Sequence, residues 1–444
     1  MKLRSIYKAL TALTLTGALL APMAAQAVPS FARQTGMDCA TCHTVFPQLT
    51  PFGRMFKLSG YTMVGSAYSG QNQMNDKLQE DVFPPLSAML MVDYTSMKKD
   101  DIGPTGHMTN DTIQLPQQFS FFYAGRISDY MGAFAQATLD STNKFAMDNT
   151  DIRYARSASI GGTPVTYGVS FNNSPMVEDF LNSTPVWGFP FSDGDYAHSP
   201  DFGTLLGTGA FAQTTGGLVA YTMINNEWYL ALGSYHDTTA TGVVSGSAPA
   251  LGLRQRSEYG RFVFQKDFGT TNFDIGAYTM NGKVQNDPTD PSAPYAKFND
   301  VGVDGQFQYL DGANTATLRA NFINEKLDNA TASLGATNDS LKRHDTSING
   351  EYYYDRMYGV GAGYFATKGD SDPGLYGANS LSGNPDSDGW LMNLNYVPWL
   401  NTKFTMQYTM YSKFDGGSTY ISNTGATRNA KDNNTLYLSA WFLF

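Results

Sequence analysis

Along much of the chain, apolar and polar residues alternate one by one. In "DVGVDGQFQYL", Val301, Val303, Phe307 and Tyr309 fall on one face, and Asp300, Asp304, Gln306 and Gln308 on the other. "ANTATLRANFI" sets Ala316, Leu318, Ala320 and Phe322 against Thr317, Arg319 and Asn321. "KFTMQYTMYS" sets Phe404, Met406, Tyr408 and Met410 against Thr405, Gln407 and Thr409. A period of two is the mark of a strand with two unlike faces. Sixteen segments are predicted: 86–97, 115–127, 131–140, 150–158, 163–171, 215–224, 227–236, 257–266, 272–281, 299–309, 313–323, 344–354, 357–367, 388–396, 403–413 and 434–444. Each is about ten residues, the length a tilted strand needs to cross a bilayer.

The connections alternate as well. "SDY", "IGGT", Asn225–Asn226, "DFGTT", "LDG", Asp355–Arg356 and "VPWLNT" are short; 98–114, 172–214, 237–256, 282–298, 324–343, 368–387 and 414–433 are long. Short turns at one end and long loops at the other are the layout of bacterial outer-membrane barrels. The turns are then periplasmic, and an even strand count puts both ends of the barrel there too. Segments 150–158 and 163–171 carry the weakest pattern, and a barrel of about fourteen or eighteen strands is compatible with the same reading. Aromatic residues gather at strand ends, as an interfacial girdle requires: Trp228 and Tyr229, Tyr352 to Tyr354, and Trp399. The last strand, "NTLYLSAWFLF", puts Leu436, Leu438, Ala440, Phe442 and Phe444 on one face, an apolar ending that a soluble domain rarely leaves uncovered.

Composition agrees once the class is known. Mean hydropathy is -0.30, and no segment beyond the leader approaches the roughly 18 consecutive apolar residues of a membrane helix. A membrane barrel gives the same average, because lipid-facing and lumen-facing residues cancel. Lys2, Arg4 and Lys8, the apolar run after them and "AQA" ending at Ala27 predict a secretory signal peptide over 1–27. Its removal takes the formal charge from -10 to -13. So acidic a chain offers no basic patch for nucleic acid. The predicted organisation is a signal peptide over 1–27, a segment over 28–83 and a barrel over 84–444.

The two cysteines of the chain, Cys39 and Cys42, stand in "GMDCATCH", with His43 directly after. C-x-x-C-H is the attachment pattern of c-type haem. Two thiols add across the two vinyl groups of one haem, and the adjacent imidazole supplies the proximal iron ligand. A Cys39–Cys42 disulfide is the alternative for an exported chain. A zinc site would lack further ligands, since only His107, His198, His236 and His344 remain.

After the motif a short helix is predicted, capped by Thr50, opened by Pro51 and ended by Ser59–Gly60. Phe52 and Phe56 share a face that can pack on a haem, and Arg54 and Lys57 are candidates for its propionates; an ordinary amphipathic helix with solvated charges is the plainer reading. Met63 and Met55 are candidate distal ligands, with Met37, an open sixth site or a barrel side chain as alternatives. The segment 28–83 is too short, at roughly 55 residues, to bury a haem well unaided. The barrel lumen is the place to bury it. The hydrocarbon core is about 30 Å thick, and one haem within the lumen is reachable from both sides.

"PSFARQTGMDCATCH", "PQLTPFGRMFKLSGY" and "FNNSPMVEDFLNSTPVWGFPF" resemble the fused outer-membrane monohaem cytochrome–porins of iron-oxidising bacteria. The resemblance is strongest over 28–61, second over 172–191, and elsewhere one of architecture and length. It implies that Cys39 and Cys42 hold haem c and that His43 is its proximal ligand. It implies oxidation of extracellular Fe(II), with one electron passed to a periplasmic c-type cytochrome or other soluble carrier. Glu178, Asp179, Asp193 and Asp195, in the long loop, are candidate hard-oxygen contacts for Fe(II), or else acids that solvate the loop. A conduit with another donor or acceptor, and a diffusion porin with structural haem, are the other readings.

Overall fold

The computed structural model describes residues 29–65, 85–101, 110–141, 144–184, 188–238, 251–287, 290, 292–399 and 401–444. The predicted signal peptide and the stretch 66–84 lie outside them. Sixteen antiparallel strands close on themselves. They are β1 (Leu86–Met97), β2 (Thr112–Ser128), β3 (Met131–Asp140), β4 (Phe145–Ile160), β5 (Thr163–Asn172), β6 (Thr215–Ile224), β7 (Trp228–Asp237), β8 (Ser257–Asp267), β9 (Thr271–Gln285), β10 (Ala296–Asp311), β11 (Asn314–Asp328), β12 (Ser340–Tyr354), β13 (Tyr358–Gly369), β14 (Ser387–Trp399), β15 (Thr402–Lys413) and β16 (Thr435–Leu443). β1 pairs with both β2 and β16, from Met89 opposite Leu443 to Met97 opposite Thr435, so no edge remains. The two-residue strand Gly252–Leu253 adds to the end of β9.

The burial pattern is that of a membrane barrel: polar residues inside, apolar residues outside. On β10, Asp300, Asp304, Gln306 and Gln308 are buried in the lumen while Val301, Val303 and Phe307 are exposed on the outer wall. β11 repeats this with Thr317, Arg319 and Asn321 inside and Leu318 and Phe322 outside. Such an outer face is stable only against lipid. At the turn end the aromatic girdle closes ring on ring: Tyr358 stacks on Tyr396 at 5.4 Å, and Trp228 lies 4.6 Å from Phe264. The tight turns follow from residues that accept positive φ. Asn225 and Asn226 stand at φ 56° and 55°, Asp355 and Arg356 at 54° each, and each pair is closed by a backbone hydrogen bond, Glu227 N to Ile224 O and Met357 N to Tyr354 O. These are type I′ turns, whose twist matches the strands they join.

Two polypeptide stretches fill the lumen. One is the N-terminal segment, with α1 (Pro29–Thr35), α2 (Cys39–Cys42) and α3 (Pro51–Leu58). The other is the connection between β5 and β6, whose described residues, 173–184 and 188–214, fold inward. The wall holds both by buried ion pairs. Arg54 of α3 pairs with Asp274 of β9 at 3.2 Å and also donates to Asn272 and Gln308. Gln48 donates to Glu351 of β12, and Tyr61 donates to Asp151 of β4 at 2.7 Å. In the inward loop, Glu178 pairs with Arg153 at 3.0 Å and Asp179 with Arg261 at 3.1 Å.

Candidate functional site

The Cys-Ala-Thr-Cys stretch forms one helical turn, closed by the His43 N–H on the Cys39 carbonyl at 2.8 Å. That turn carries Cys39, Cys42 and His43 to the wall of one cavity of about 550 Å³. α3 packs directly beneath it. Thr50 caps α3 by accepting from the Gly53 N–H at 3.1 Å, Pro51 opens it, and Gly60, at φ +71°, follows its end. The Thr50 N–H in turn donates to the Cys42 carbonyl at 2.9 Å. The motif and the helix after it therefore form one unit.

Gly53 sits at the closest approach. A Cβ built there would stand 2.1 Å from the Cys42 carbonyl oxygen, with backbone and not a flexible side chain in the way. Gly53→Ala is therefore expected to push α3 off the motif, at a cost of about 1–3 kcal/mol. Thermal unfolding of the purified barrel and protease sensitivity of the N-terminal segment check this. An unchanged melting curve with an equally resistant segment would mean the two backbones are not in contact.

The cavity suits a haem. Cofactor sites of about 300–1,000 Å³ with mainly apolar walls are the rule. Here Phe31, Phe46, Phe56, Tyr61, Phe122 and Trp441 line the space. Phe31 lies edge-on to Phe56 at 5.1 Å and stacks on Tyr61 at 5.3 Å, and Phe46 meets Trp441 at 5.1 Å. His43 Nδ1 lies 3.2 Å from the Gln48 carbonyl. A carbonyl only accepts, so Nδ1 carries the proton and Nε2 keeps its lone pair, the tautomer a metal ligand needs. Burial pushes the imidazole down to about 4, only partly opposed by the Gln48 and Pro47 carbonyls, so it is neutral at physiological pH. Burial, then the neighbouring Cys39, pushes the Cys42 thiol up to about 11.

The structure distributes the other predicted residues unevenly. Phe56 and Lys57 line the cavity; Phe52 does not. Lys57 spends its ammonium on the Val177 carbonyl, and Arg54 is turned away to the barrel wall, so neither stands ready for a propionate. Met55 packs on the apolar cluster around Leu58, and Met63 holds its carbonyl on the Gln34 amide; neither side chain lines the cavity. The thioethers that do line it are Met37, next to the motif, and Met89 and Met91 of β1. The loop acids divide two and two. Glu178 and Asp179 are buried against Arg153 and Arg261, and neither is an exposed loop contact. Despite its burial, Asp179 is held below the usual carboxylate range by Arg261 and the Ser183 and Thr184 donors. Asp193 and Asp195 line the same cavity as Cys42 and His43. Burial, then Asp195, raises the Asp193 carboxyl to about 6.

Sequence reasoning missed the wall half of the site. Met89, Met91, Phe122, Phe134 and Trp441 belong to strands whose lumenal faces also carry polar residues, among them Asp93, Thr95, Gln114, Ser120, Gln136 and Ser439. One signal was present. "SAMLMV" in β1 is apolar on both faces, where a strand between lipid and water alternates.

Neither a protein-family model nor a curated protein matches the chain. Solved structures do. The outer-membrane channel DcaP of Acinetobacter baumannii is 12% identical over 81% of this chain and 96% of its own, with a TM-score of 0.50. OmpF of Salmonella typhi, solved in complex with daunomycin, is 13% identical over 81% and 97%, with a TM-score of 0.48. At such identities only the fold is shared, and the DcaP match is to a porin-like outer-membrane barrel. The span 29–65, with the motif, distinguishes this chain from a bare barrel.

Proposed function

We propose that the protein is an outer-membrane electron-transfer protein that takes one electron from extracellular Fe(II), by way of a single covalently attached haem c, and hands it to a soluble periplasmic carrier. The observation that carries this is the placement of Cys39, Cys42 and His43 on an apolar cavity inside the lumen of a sixteen-stranded membrane barrel. A bilayer core of about 30 Å is too thick for one step between two surface-bound partners. A site within the lumen divides it.

When bound, haem c supplies a one-electron centre. The chain does the rest. Cys39 and Cys42 would hold the group through their thiols, and His43, its tautomer fixed by the Gln48 carbonyl, would offer Nε2 as the iron ligand. Phe31, Phe46, Phe56 and Tyr61 give one side of the cavity an apolar wall, which would lower the reorganisation on electron transfer. Asp193 and Asp195 present hard oxygens to a cationic donor on the loop side of the cavity. Each Fe(II) gives one electron and leaves as Fe(III); the carrier gains that electron. No bond to carbon changes, and none of this needs a nucleophile–base pair. Orientation follows the same reading: the long loops outside, the short turns and both barrel ends in the periplasm.

A diffusion porin with a structural haem is the second reading, favoured by the fold shared with DcaP. One experiment separates the two. Oxidised protein in micelles is mixed with Fe(II) near neutral pH, and then placed in liposomes with an enclosed acceptor. The conduit reading expects reduction by one electron per chain and no sugar leakage. Reduction should go further as pH rises, because hydrolysis removes Fe(III). Reduction by dithionite but not by Fe(II) removes iron as the donor. Rapid sugar leakage with that failure favours the porin.

A further inference from the structure

The lumenal face of β1 changes chemistry within two residues. Met89 and Met91 line the cavity beside the Cys39–His43 turn. The next lumenal residue, about 7 Å further toward the loop end, is Asp93. A bulge between Met91 and Asp93 interrupts the pairing with β2. Asp93 is only 3% exposed, and no side chain donates to its carboxylate; the nearest donor is the backbone N–H of Gln114. Four lumenal carboxylates are matched by arginines, Asp151 by Arg153, Asp274 by Arg54, Asp304 by Arg261 and Glu325 by Arg343, and others, such as Asp345, by hydroxyl donors. Among the described residues, Asp93 has no such cation.

What faces Asp93 is more oxygen. Its cross-strand neighbour Gln114 donates to Asp195 at 3.3 Å, while the Gln114 side-chain oxygen is buried without a partner. Thr95 Oγ1, two residues on, is likewise buried and unpartnered. It lies against Gly194, the residue between Asp193 and Asp195 in the loop, where a Cβ would stand 2.1 Å from it. Gln117 fixes this part of the loop by donating to the Asp193 carbonyl at 2.7 Å. Asp93, Asp193 and Asp195 thus gather with the unpartnered Gln114 and Thr95 oxygens at one corner of the lumen; Asp195 accepts from Gln114 and from Ser141 at 2.9 Å, and among the described residues none of the three carboxylates makes an ion pair. Acceptors left bare in that way are costly unless donors or a cation come to them.

Among the described residues no three His, Cys, Asp or Glu side chains converge closely enough to hold a bare metal ion. A cation that keeps its water shell needs no such convergence, because its coordinated waters donate to the carboxylates. We infer that Asp93, Asp193 and Asp195 form an outer-sphere docking site for a hydrated divalent cation at the edge of the cavity that holds the Cys39–His43 motif, with Asp193 and Asp195 on its lining and Asp93 one lumenal position beyond Met91. This rests on the conduit reading for the identity of the cation as Fe(II); the site itself does not. Outer-sphere docking leaves the ion's shell intact and its release fast, which a donor that must depart as Fe(III) requires.

The test uses Mn(II), which the protein will not oxidise, added to the purified holoprotein in micelles, with free Mn(II) read by electron paramagnetic resonance. Wild type should retain Mn(II), and Asp93→Asn should weaken retention about tenfold or more. Asp195→Asn should do the same, and Asp100→Asn, on the outer loop, should not. Hexaamminecobalt(III), whose ligands do not exchange, should displace the Mn(II). Heat-modifiable migration on a gel checks that each variant is folded. Equal retention by wild type and both folded variants, or no retention by wild type, overturns the site; failure of hexaamminecobalt(III) to compete overturns its outer-sphere character. Reduction of the same preparation by Fe(II) judges the electron-transfer reading separately.

Discussion

Arg54→Ala is expected to loosen the N-terminal segment from the barrel by about 3–5 kcal/mol, the usual penalty for stripping one partner from a buried ion pair. Arg54 is completely buried, and its guanidinium bridges α3 to Asp274, Asn272 and Gln308 on β9 and β10. Its loss leaves the Asp274 carboxylate in the lumen wall without its ion-pair partner. On that scale the undocked population rises on the order of a hundred-fold or more. The segment keeps its other anchors, Gln48 on Glu351 and Tyr61 on Asp151, so the expected phenotype is intermittent opening and not loss of the barrel. Planar-bilayer recordings should show rare brief events in wild type and frequent larger ones in the variant. The double variant Arg54→Met with Asp274→Leu, which replaces the pair by apolar groups of similar size, should return to quiet recordings. If Arg54→Ala is as quiet and as heat-stable as wild type, the ion pair does not hold the segment in place.

The barrel was legible because its rule is local. A strand between lipid and lumen must alternate, and β1, β6 and β10 are found at or within a few residues of the predicted spans. Even the two weakest segments, 150–158 and 163–171, lie within β4 (Phe145–Ile160) and on β5 (Thr163–Asn172). The helix after the motif was legible for the same reason: Thr50, Pro51 and Gly60 are local signals, and α3 has those ends. The failures are all non-local. An acid in a long loop looks the same whether water or an arginine on a distant strand covers it. Glu178 and Asp179 turned out to answer Arg153 and Arg261, which the pattern shows only as polar lumenal positions. Helical spacing grouped Phe52 with Phe56 but could not say which way α3 would face. The wall took Arg54 and Met55, and the cavity took Phe56 and Lys57. Proximity in sequence likewise pointed to Met55 and Met63 as distal ligands, whereas the thioethers on the cavity include two from a strand more than forty positions from the motif.

If the motif is a haem-attachment site, haem should survive denaturation and migrate with the chain on a haem-stained gel. The physical distinction is bond type. A haem held by burial and one imidazole is released when the cavity unfolds, whereas thioether bonds at Cys39 and Cys42 are indifferent to unfolding. Cys39→Ser and Cys42→Ser should each leave one link, so each variant should still stain, with an absorption spectrum shifted by the retained vinyl group. The double variant should lose all staining after denaturation. Because α2 and α3 are joined through the Thr50 N–H on the Cys42 carbonyl and the Thr50 hydroxyl on the Thr41 carbonyl, these substitutions leave the backbone frame in place. The barrel should therefore still fold and remain heat-modifiable in all three variants, which separates loss of attachment from loss of structure. Release of the haem from denatured wild type into acidic organic solvent would show that the thiols are not its anchors, and the conduit reading would lose its centre while the barrel and its lumenal segment stood.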